Sequence, residues 1–91
     1  MKNQETKDLN YFEALTAEMN ALFKNKQKDY GSAWKFHGLK GIVVRLGDKF
    51  LRLNNLVWEE KNPKNESVRD TLIDLAVYAI MGIISWEEER K

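Results

Sequence analysis

Apolar residues recur at every third or fourth position in three stretches of this chain, which is the spacing of helices with one buried face. The first stretch predicts a helix from a cap at Asp8 or Asn10 to about Lys28, after seven polar residues that we expect to be frayed. Its expected buried residues are Leu9, Phe12, Leu15, Met19, Leu22 and Phe23. The second stretch predicts a helix from about Leu39 to Glu60. Its expected core stripe is Leu39, Val43, Leu46, Phe50, Leu53 and Val57.

The third stretch, residues 66–86, is apolar around most of its circumference. At about 100° per residue it has a broad apolar face made of Val68, Leu72, Leu75, Ala76, Ala79, Ile80, Ile83 and Trp86. A second apolar strip beside it is made of Ile73, Val77, Met81 and Ile84. A helix that is apolar nearly all round is a buried helix. The polar turn around Pro63 precedes it, and Asn65 or Ser67 is its expected cap.

These patterns predict an all-α fold in a single domain, residues 1–91, with two long antiparallel helices and a buried third helix. A chain of 91 residues offers little protein to surround the third helix. We therefore expect homo-oligomerisation, as a dimer or a larger assembly, to complete the core.

Charged residues follow two of the predicted helices. One set lies within roughly 100° of arc on the second helix, and we call it the cationic stripe: Arg45, Asp48, Lys49 and Arg52. A second set lies at four-residue spacing within the second apolar strip of the third helix, and we call it the acidic strip: Glu66, Asp70 and Asp74. Carboxylates in apolar surroundings need cationic or metal partners. The two sets are therefore expected to face each other, unless the stripe is simply a solvated surface.

Two chemical interpretations of the acidic strip stay open. In the first, it binds Mg²⁺ together with Asp48, and the metal bridges the phosphates of a nucleotide. In the second, Arg45, Lys49 and Arg52 neutralise the strip and form an ionic layer that fixes helix register or subunit pairing. The spacing alone does not distinguish them.

Residues 28–41 combine three glycines with several aromatic and basic side chains, and predict an irregular loop. Tyr30 and Trp34 could stack a planar base while the interleaved lysines, Lys28, Lys35 and Lys40, contact its phosphates. In the alternative interpretation, Trp34 and Phe36 plug the end of a helical core.

Composition narrows the possible functions. Fifteen basic and fourteen acidic residues give a net charge of +1, so no bulk charge drives binding to nucleic acid or membrane, and DNA binding is disfavoured. The absence of cysteine excludes disulfides and thiolate chemistry. The lone histidine, His37, is expected to be a surface or capping residue. No signal-peptide core and no apolar run long enough to span a bilayer are present, so we expect a cytoplasmic protein.

Three sequence blocks resemble a known family. KDYG at 28–31, VRLGDKFLRL at 44–53 and ESVRDTLIDLAVYAIM at 66–81 are similar to the nucleotide-modification-associated domain family, small helical proteins found in phage genomes. The resemblance covers about residues 24–85. It implies that the protein is located in the cytoplasm of a phage-infected bacterium.

More distantly, the layout is similar to the MazG-like all-α nucleotide pyrophosphatases, which work as dimers or tetramers and hold Mg²⁺ between acidic pairs on two helices. Here the earlier helix carries the cationic stripe instead, with Asp48 as its single acid. Such a site binds phosphate oxygens directly, and this departure favours binding over hydrolysis.

The function predicted from these patterns is binding of a nucleotide or nucleotide-derived molecule in a pocket shared between subunits, without a required cofactor. By analogy with the phage family, it would sequester a signalling molecule of host defence. The predicted ligand-binding residues are Lys28, Tyr30, Trp34, Arg45, Asp48, Lys49, Arg52, Asp70 and Asp74. The first alternative is a Mg²⁺-dependent nucleoside triphosphate pyrophosphatase with Asp48, Glu66, Asp70 and Asp74 as metal ligands. The second is a structural helical adaptor.

Overall fold

The computed structural model describes residues 2–59 and 67–91, and within these ranges every regular element is helical. The elements are α1 (Lys2–Tyr30), a short 3-10 helix (Ala33–Lys35), α2 (Gly38–Trp58) and α3 (Val68–Glu89). The predicted all-α fold and its three long helices are thus confirmed. The predicted turn at Pro63, the alternative cap Asn65 and the acid Glu66 lie outside the described residues.

The chain divides into two compact units at Gly31, and the first unit consists of α1. This helix begins at Lys2, so the predicted cap at Asp8 or Asn10 was wrong. Lysine, glutamine and glutamate favour helix in this segment, and Gln4 Nε2 donates a hydrogen bond to Asp8 Oδ1 at 2.8 Å. The expected buried face was also wrong, because it is at best half-buried. Leu9, Phe12 and Leu22 are exposed, and Leu15, Met19 and Phe23 are half-buried.

The segment after α1 is shorter and more regular than predicted. Helix α1 continues to Tyr30 and ends where Gly31 adopts φ of 60°, with the Gly31 amide donating to the Gln27 carbonyl. A left-handed glycine is a common helix terminator. Only residues 31–37 separate α1 from α2, and the 3-10 helix occupies their centre. The expectation of a long irregular loop was therefore wrong, and so was the plug role of Phe36, whose side chain is 86% exposed.

In the second unit, α2 and α3 pack against each other as an antiparallel pair. Three contacts show the antiparallel direction, because residue numbers on α3 decrease as the numbers of their partners in the 3-10 helix and α2 increase. Lys35 pairs with Glu88, Ile42 lies against Gly82, and Lys49 pairs with Asp74. The apolar core of the unit is small and comes from both helices: Ile42, Leu56, Ile73, Val77 and Met81.

Helix α3 turns its smaller residues toward α2. Thr71, Gly82 and Ser85 are all buried. The Thr71 hydroxyl is satisfied because it donates to the Ser67 carbonyl at 3.0 Å. A Cβ atom placed on Gly82 would lie 3.3 Å from Ile42 Cγ2, so the glycine allows the two helices to approach closely at this point.

On α2 the core lies on a different face from the one predicted, and on α3 only one of the two predicted apolar faces packs against α2. On α3, the second strip is buried, whereas the broad face is largely exposed, at Leu72, Ile80, Ile83 and Trp86 among others. On α2, Ile42 and Leu56 are buried with Leu39, Leu46 and Leu53 partly covered, while Val43, Phe50 and Val57 are exposed. Both helices carry two apolar faces, so periodicity alone did not identify the one that packs. Helix α2 therefore covers one side of α3.

None of the helices described in residues 2–59 and 67–91 is long and apolar enough to cross a membrane.

Candidate functional site

A groove of about 420 Å³ lies along the first half of α2. Its lining residues are His37, Lys40, Gly41, Val44, Arg45 and Asp48. Spacings of three and four place these side chains on one face of the helix. That face is not the one that carries Ile42 and Leu56 into the core. The groove is therefore formed by side chains that packing against α3 leaves accessible.

The groove brings charges of both signs together at an accessible surface. Lys40 and Arg45 are exposed cations, and Asp48 is an exposed carboxylate. Arginine presents a planar fork of donors that matches phosphate oxygens, and lysine adds a compact positive charge. The groove also begins at the N-terminus of α2, whose first turn contains no acidic residue. The positive end of the helix dipole adds to the attraction for an anion.

Gly41 gives His37 its position in the groove. A Cβ atom on Gly41 would lie 2.6 Å from the Cβ atom of His37, so no other residue fits there without moving the histidine. His37 is the N-cap residue of α2 and makes no capping hydrogen bond through its side chain. Its ring packs edge-on against the exposed ring of Phe36, with 5.0 Å between the ring centroids. One aromatic ring, that of His37, thus lines the groove, and the ring of Phe36 packs beside it.

The cationic stripe divides between two locations. Arg45 and Asp48 line the groove, and Arg52 is exposed one turn beyond Asp48. Lys49 instead points to α3, where its Nζ atom lies 3.0 Å from Asp74 Oδ2. Both side chains of this pair are about a quarter to a third exposed. The pair is the interhelical ionic contact that one of our two interpretations of the acidic strip predicted.

The other predicted residues have separate locations. Asp70 lies in the first turn of α3, where its backbone amide donates to Ser67 Oγ at 3.0 Å, which confirms Ser67 as the cap. Trp34 is half-buried in the 3-10 helix, and the Lys35 ammonium lies 5.6 Å from the centroid of its ring. Lys28 is an exposed residue of α1. The side chain of Tyr30 lies outside the described part of the chain.

Within residues 2–59 and 67–91, no three histidine or acidic side chains lie close enough together to hold a metal ion. Of the four candidate ligands, Asp48 lines the groove, Asp74 is paired with Lys49 and Asp70 starts α3. Glu66 belongs to the undescribed segment.

A second depression, of about 270 Å³, lies where the start of α2 meets the end of α3. Lys35 Nζ pairs with Glu88 Oε1 at 2.8 Å across it, and Glu89 approaches Gly38 closely. Ser85 Oγ is buried and has no hydrogen-bond partner among the described residues. The Lys35–Glu88 pair ties the 3-10 helix to α3, and so it helps to fix the segment that carries His37.

Four groove residues lie outside the set of predicted ligand-binding residues: His37, Lys40, Gly41 and Val44. The available signal was the spacing to the cationic stripe, because Lys40, Val44 and Asp48 follow one another at four-residue intervals.

Comparison with known proteins identifies the family. The family model described as nucleotide modification associated domain 1 matches residues 26–86. The chain belongs to this family. The matched residues include the whole groove, α2 and most of α3, so these features lie within the family domain. Neither the curated proteins nor the solved structures include a significant match to the chain.

Proposed function

We propose that this protein binds a nucleotide or a nucleotide-derived molecule at the α2 groove. The observation that carries the proposal is the convergence of Lys40 and Arg45 beside Asp48 in an accessible groove of about 420 Å³. That volume is within the range of about 300–1,000 Å³ that is usual for small-molecule sites. Membership of a family named for nucleotide modification supports a nucleotide as the class of ligand.

Each groove residue has a role in this proposal. Arg45 and Lys40 bind phosphate oxygens, because a guanidinium and an ammonium form charge-assisted hydrogen bonds to them. Asp48 accepts hydrogen bonds from ribose or base, and it orients Arg45. His37 and Phe36 offer ring surfaces on which a base stacks.

The remaining predicted residues contribute around this centre. Arg52 extends the cationic surface by one turn. Lys49 and Asp74 act indirectly, because their pairing holds α2 on α3. Further candidates for phosphate contact and base stacking are Lys28, Tyr30 and Trp34. Asp70 has the least support as a ligand-binding residue, because an acidic side chain in the first turn of α3 already stabilises the helix.

The use we propose is sequestration: the ligand is held unchanged, without a required cofactor, in a pocket that a second copy of the chain helps to cover. The proposal places this activity in the cytoplasm of a phage-infected bacterium, where the ligand is a nucleotide signal of host defence. The exposed apolar residues on α2 and α3 support self-association, because large contiguous apolar patches are rare on monomers.

The Mg²⁺-dependent pyrophosphatase is the competing function. It requires Asp74 as a metal ligand, whereas Asp74 is paired with Lys49 at 3.0 Å. The pairing supports binding without hydrolysis as the first choice. A structural adaptor, the third candidate, would use the charged residues for assembly only, so the two tests below also separate it from a nucleotide binder.

A ligand survey tests the proposal directly. The purified chain is mixed with nucleoside triphosphates, cyclic dinucleotides or ADP-ribose derivatives, with and without Mg²⁺, and each mixture is analysed by chromatography before and after heat denaturation. We expect one class of compound to leave the free pool and to return unchanged from the denatured protein. Release of a monophosphate and pyrophosphate only with Mg²⁺ would establish the pyrophosphatase instead. If no compound is depleted, the structural adaptor would be the remaining candidate function.

A charge-matched pair of variants then locates the site. Arg45→Gln removes one charge from the groove, and Lys24→Gln removes one charge from an exposed position on α1. We expect Arg45→Gln to weaken binding at least tenfold in calorimetry, and Lys24→Gln to change it less than twofold. Equal effects of the two variants would show general electrostatic attraction and would refute the groove as the site.

A further inference from the structure

One side of α3 carries an uninterrupted apolar seam that packing against α2 does not use. Its members follow spacings of four, three, four and three residues, and we call them the α3 seam: Leu72, Ala76, Ala79, Ile83 and Trp86. This is the spacing at which one helix packs along another. Leu72, Ile83 and Trp86 are each about half exposed. Val77 and Met81, which pack toward α2, lie on the other side of the helix.

The seam is complementary to itself when two copies run in opposite directions. If a two-fold axis passes between Val77 and Tyr78, Leu72 of one copy faces Ile83 of the other, and Ala76 faces Ala79. The same axis places Trp86 opposite Arg69. Large side chains therefore meet large ones at both ends of the seam, and alanines meet at its centre, where small residues allow the helices to approach closely.

Charges beside the seam select the same orientation. Arg69 and Glu87 are eighteen residues apart, which is five turns of an α-helix, so both lie on one edge of the seam. In the antiparallel arrangement, Arg69 of each copy comes within one residue of the position opposite Glu87. In a parallel arrangement, each residue would face its own copy and like charges would meet.

We propose that the α3 seam is a homodimer interface in which two copies of α3 pair antiparallel about a two-fold axis between Val77 and Tyr78. This assigns a surface, a partner and a register, and goes beyond the proposed nucleotide binding. No seam residue lines the α2 groove. Self-association and ligand binding can therefore be measured on separate variants, so a failed dimer and a failed nucleotide site are distinguishable.

Two matched glutamate substitutions test the surface. Ile83 in the seam and Leu51 on α2 are 57% and 62% exposed, so neither variant buries a charge within its own chain. We expect the native chain and Leu51→Glu to show about twice the 10.7 kDa chain mass in light scattering, and Ile83→Glu to show the mass of one chain. Circular dichroism checks that the helices are retained. A monomeric native chain, or a dimer that Leu51→Glu disrupts and Ile83→Glu does not, would overturn the proposal.

Cysteine cross-linking tests the register, since the chain has no cysteine of its own. In the antiparallel dimer, the two copies of residue 72 are separated by eleven residues of helix, about 16 Å along the axis, whereas residues 72 and 83 of different copies are adjacent. We expect a short thiol-specific bifunctional reagent to join chains that carry both Leu72→Cys and Ile83→Cys, and not chains that carry Leu72→Cys alone. Efficient cross-linking of the single variant would show a parallel pair and overturn the register.

Discussion

Replacing Gly82 with alanine tests whether α2 and α3 are in close contact at the centre of the second unit. The new methyl carbon would lie 3.3 Å from Ile42 Cγ2 and 3.7 Å from Leu39 Cδ1. Carbon atoms normally pack about 3.5–4.0 Å apart, so the first distance is too short. Ile42 is only 3% exposed, and its side chain has no solvent-facing space into which to move. Gly47 is the matched control, because a Cβ atom there meets nothing within 4 Å.

The expected magnitudes follow from two opposing effects. Alanine in place of glycine within a helix stabilises the folded chain by about 1 kcal/mol. At Gly82 that gain is offset by overpacking, which costs about 1–3 kcal/mol. We therefore expect Gly47→Ala to be about 1 kcal/mol more stable than the native chain, and Gly82→Ala to be neutral or up to about 2 kcal/mol less stable.

Urea and thermal unfolding, followed by circular dichroism, measure both variants. The protein concentration must be the same in all samples, because self-association would stabilise the chain by mass action. For a domain of this size, 1 kcal/mol corresponds to a shift in Tm of about 4–8 °C. We expect Tm of Gly82→Ala to fall below that of Gly47→Ala by at least that amount. Equal stabilisation by the two alanines would refute the close approach of α2 and α3 at Gly82.

Two further predictions concern the polar contacts of α3. Ser67→Ala removes the side-chain acceptor of the Asp70 amide and should lower the free energy of unfolding by about 1 kcal/mol. Ser67→Asp, which can still cap the helix, should retain most of the native free energy of unfolding. An equal decrease in both variants would contradict the capping role of Ser67. For Lys49 and Asp74, a double-mutant cycle with alanine should give a coupling of about 0.5–1 kcal/mol that decreases at high salt. A coupling of zero would show that the pair does not hold α2 on α3.

The helices themselves were predictable because their signals are local. The second predicted helix, 39–60, agrees with α2 to within two residues, and the Ser67 cap identifies the start of α3. The end of α1 was less clear, because Tyr30 precedes a glycine whose left-handed conformation is visible only in the structure. Residues 33–35 then form a 3-10 turn for which the sequence has no distinct pattern.

The packing faces were not predictable from periodicity. Both α2 and α3 have more apolar surface than a two-helix contact can cover, so the choice of face depends on shape. The decisive residues on α3 are the smallest ones, Gly82 and Ser85, which the hydrophobic pattern places on a minor strip. The positions of large apolar side chains therefore do not identify the face that packs on α2. The same choice of face determines the groove, because it decides which side of α2 stays accessible.

The sequence indicated charged side chains on α2 as the candidate site, but it predicted only two of the residues that line the groove, Arg45 and Asp48. The cationic stripe correctly drew attention to α2, and Arg45 and Asp48 line the groove. Lys49 has a different role because it lies one residue beyond Asp48, which turns its side chain by about 100° toward α3. A difference of one position thus separates a groove residue from an interhelical ion pair.

The register of α2 on α3 is what connects the core to the groove. Moving α3 by one turn would bring Tyr78 or Trp86 opposite Ile42 in place of Gly82, and both are too large for a contact this close. The same shift would separate Lys49 from Asp74 by about 6 Å along the axis. Close packing and charge pairing therefore favour one register. With that register fixed, Ile42 faces inward, so Lys40 on the opposite side of the helix and Arg45 at the edge of the packed face remain accessible to bind a ligand.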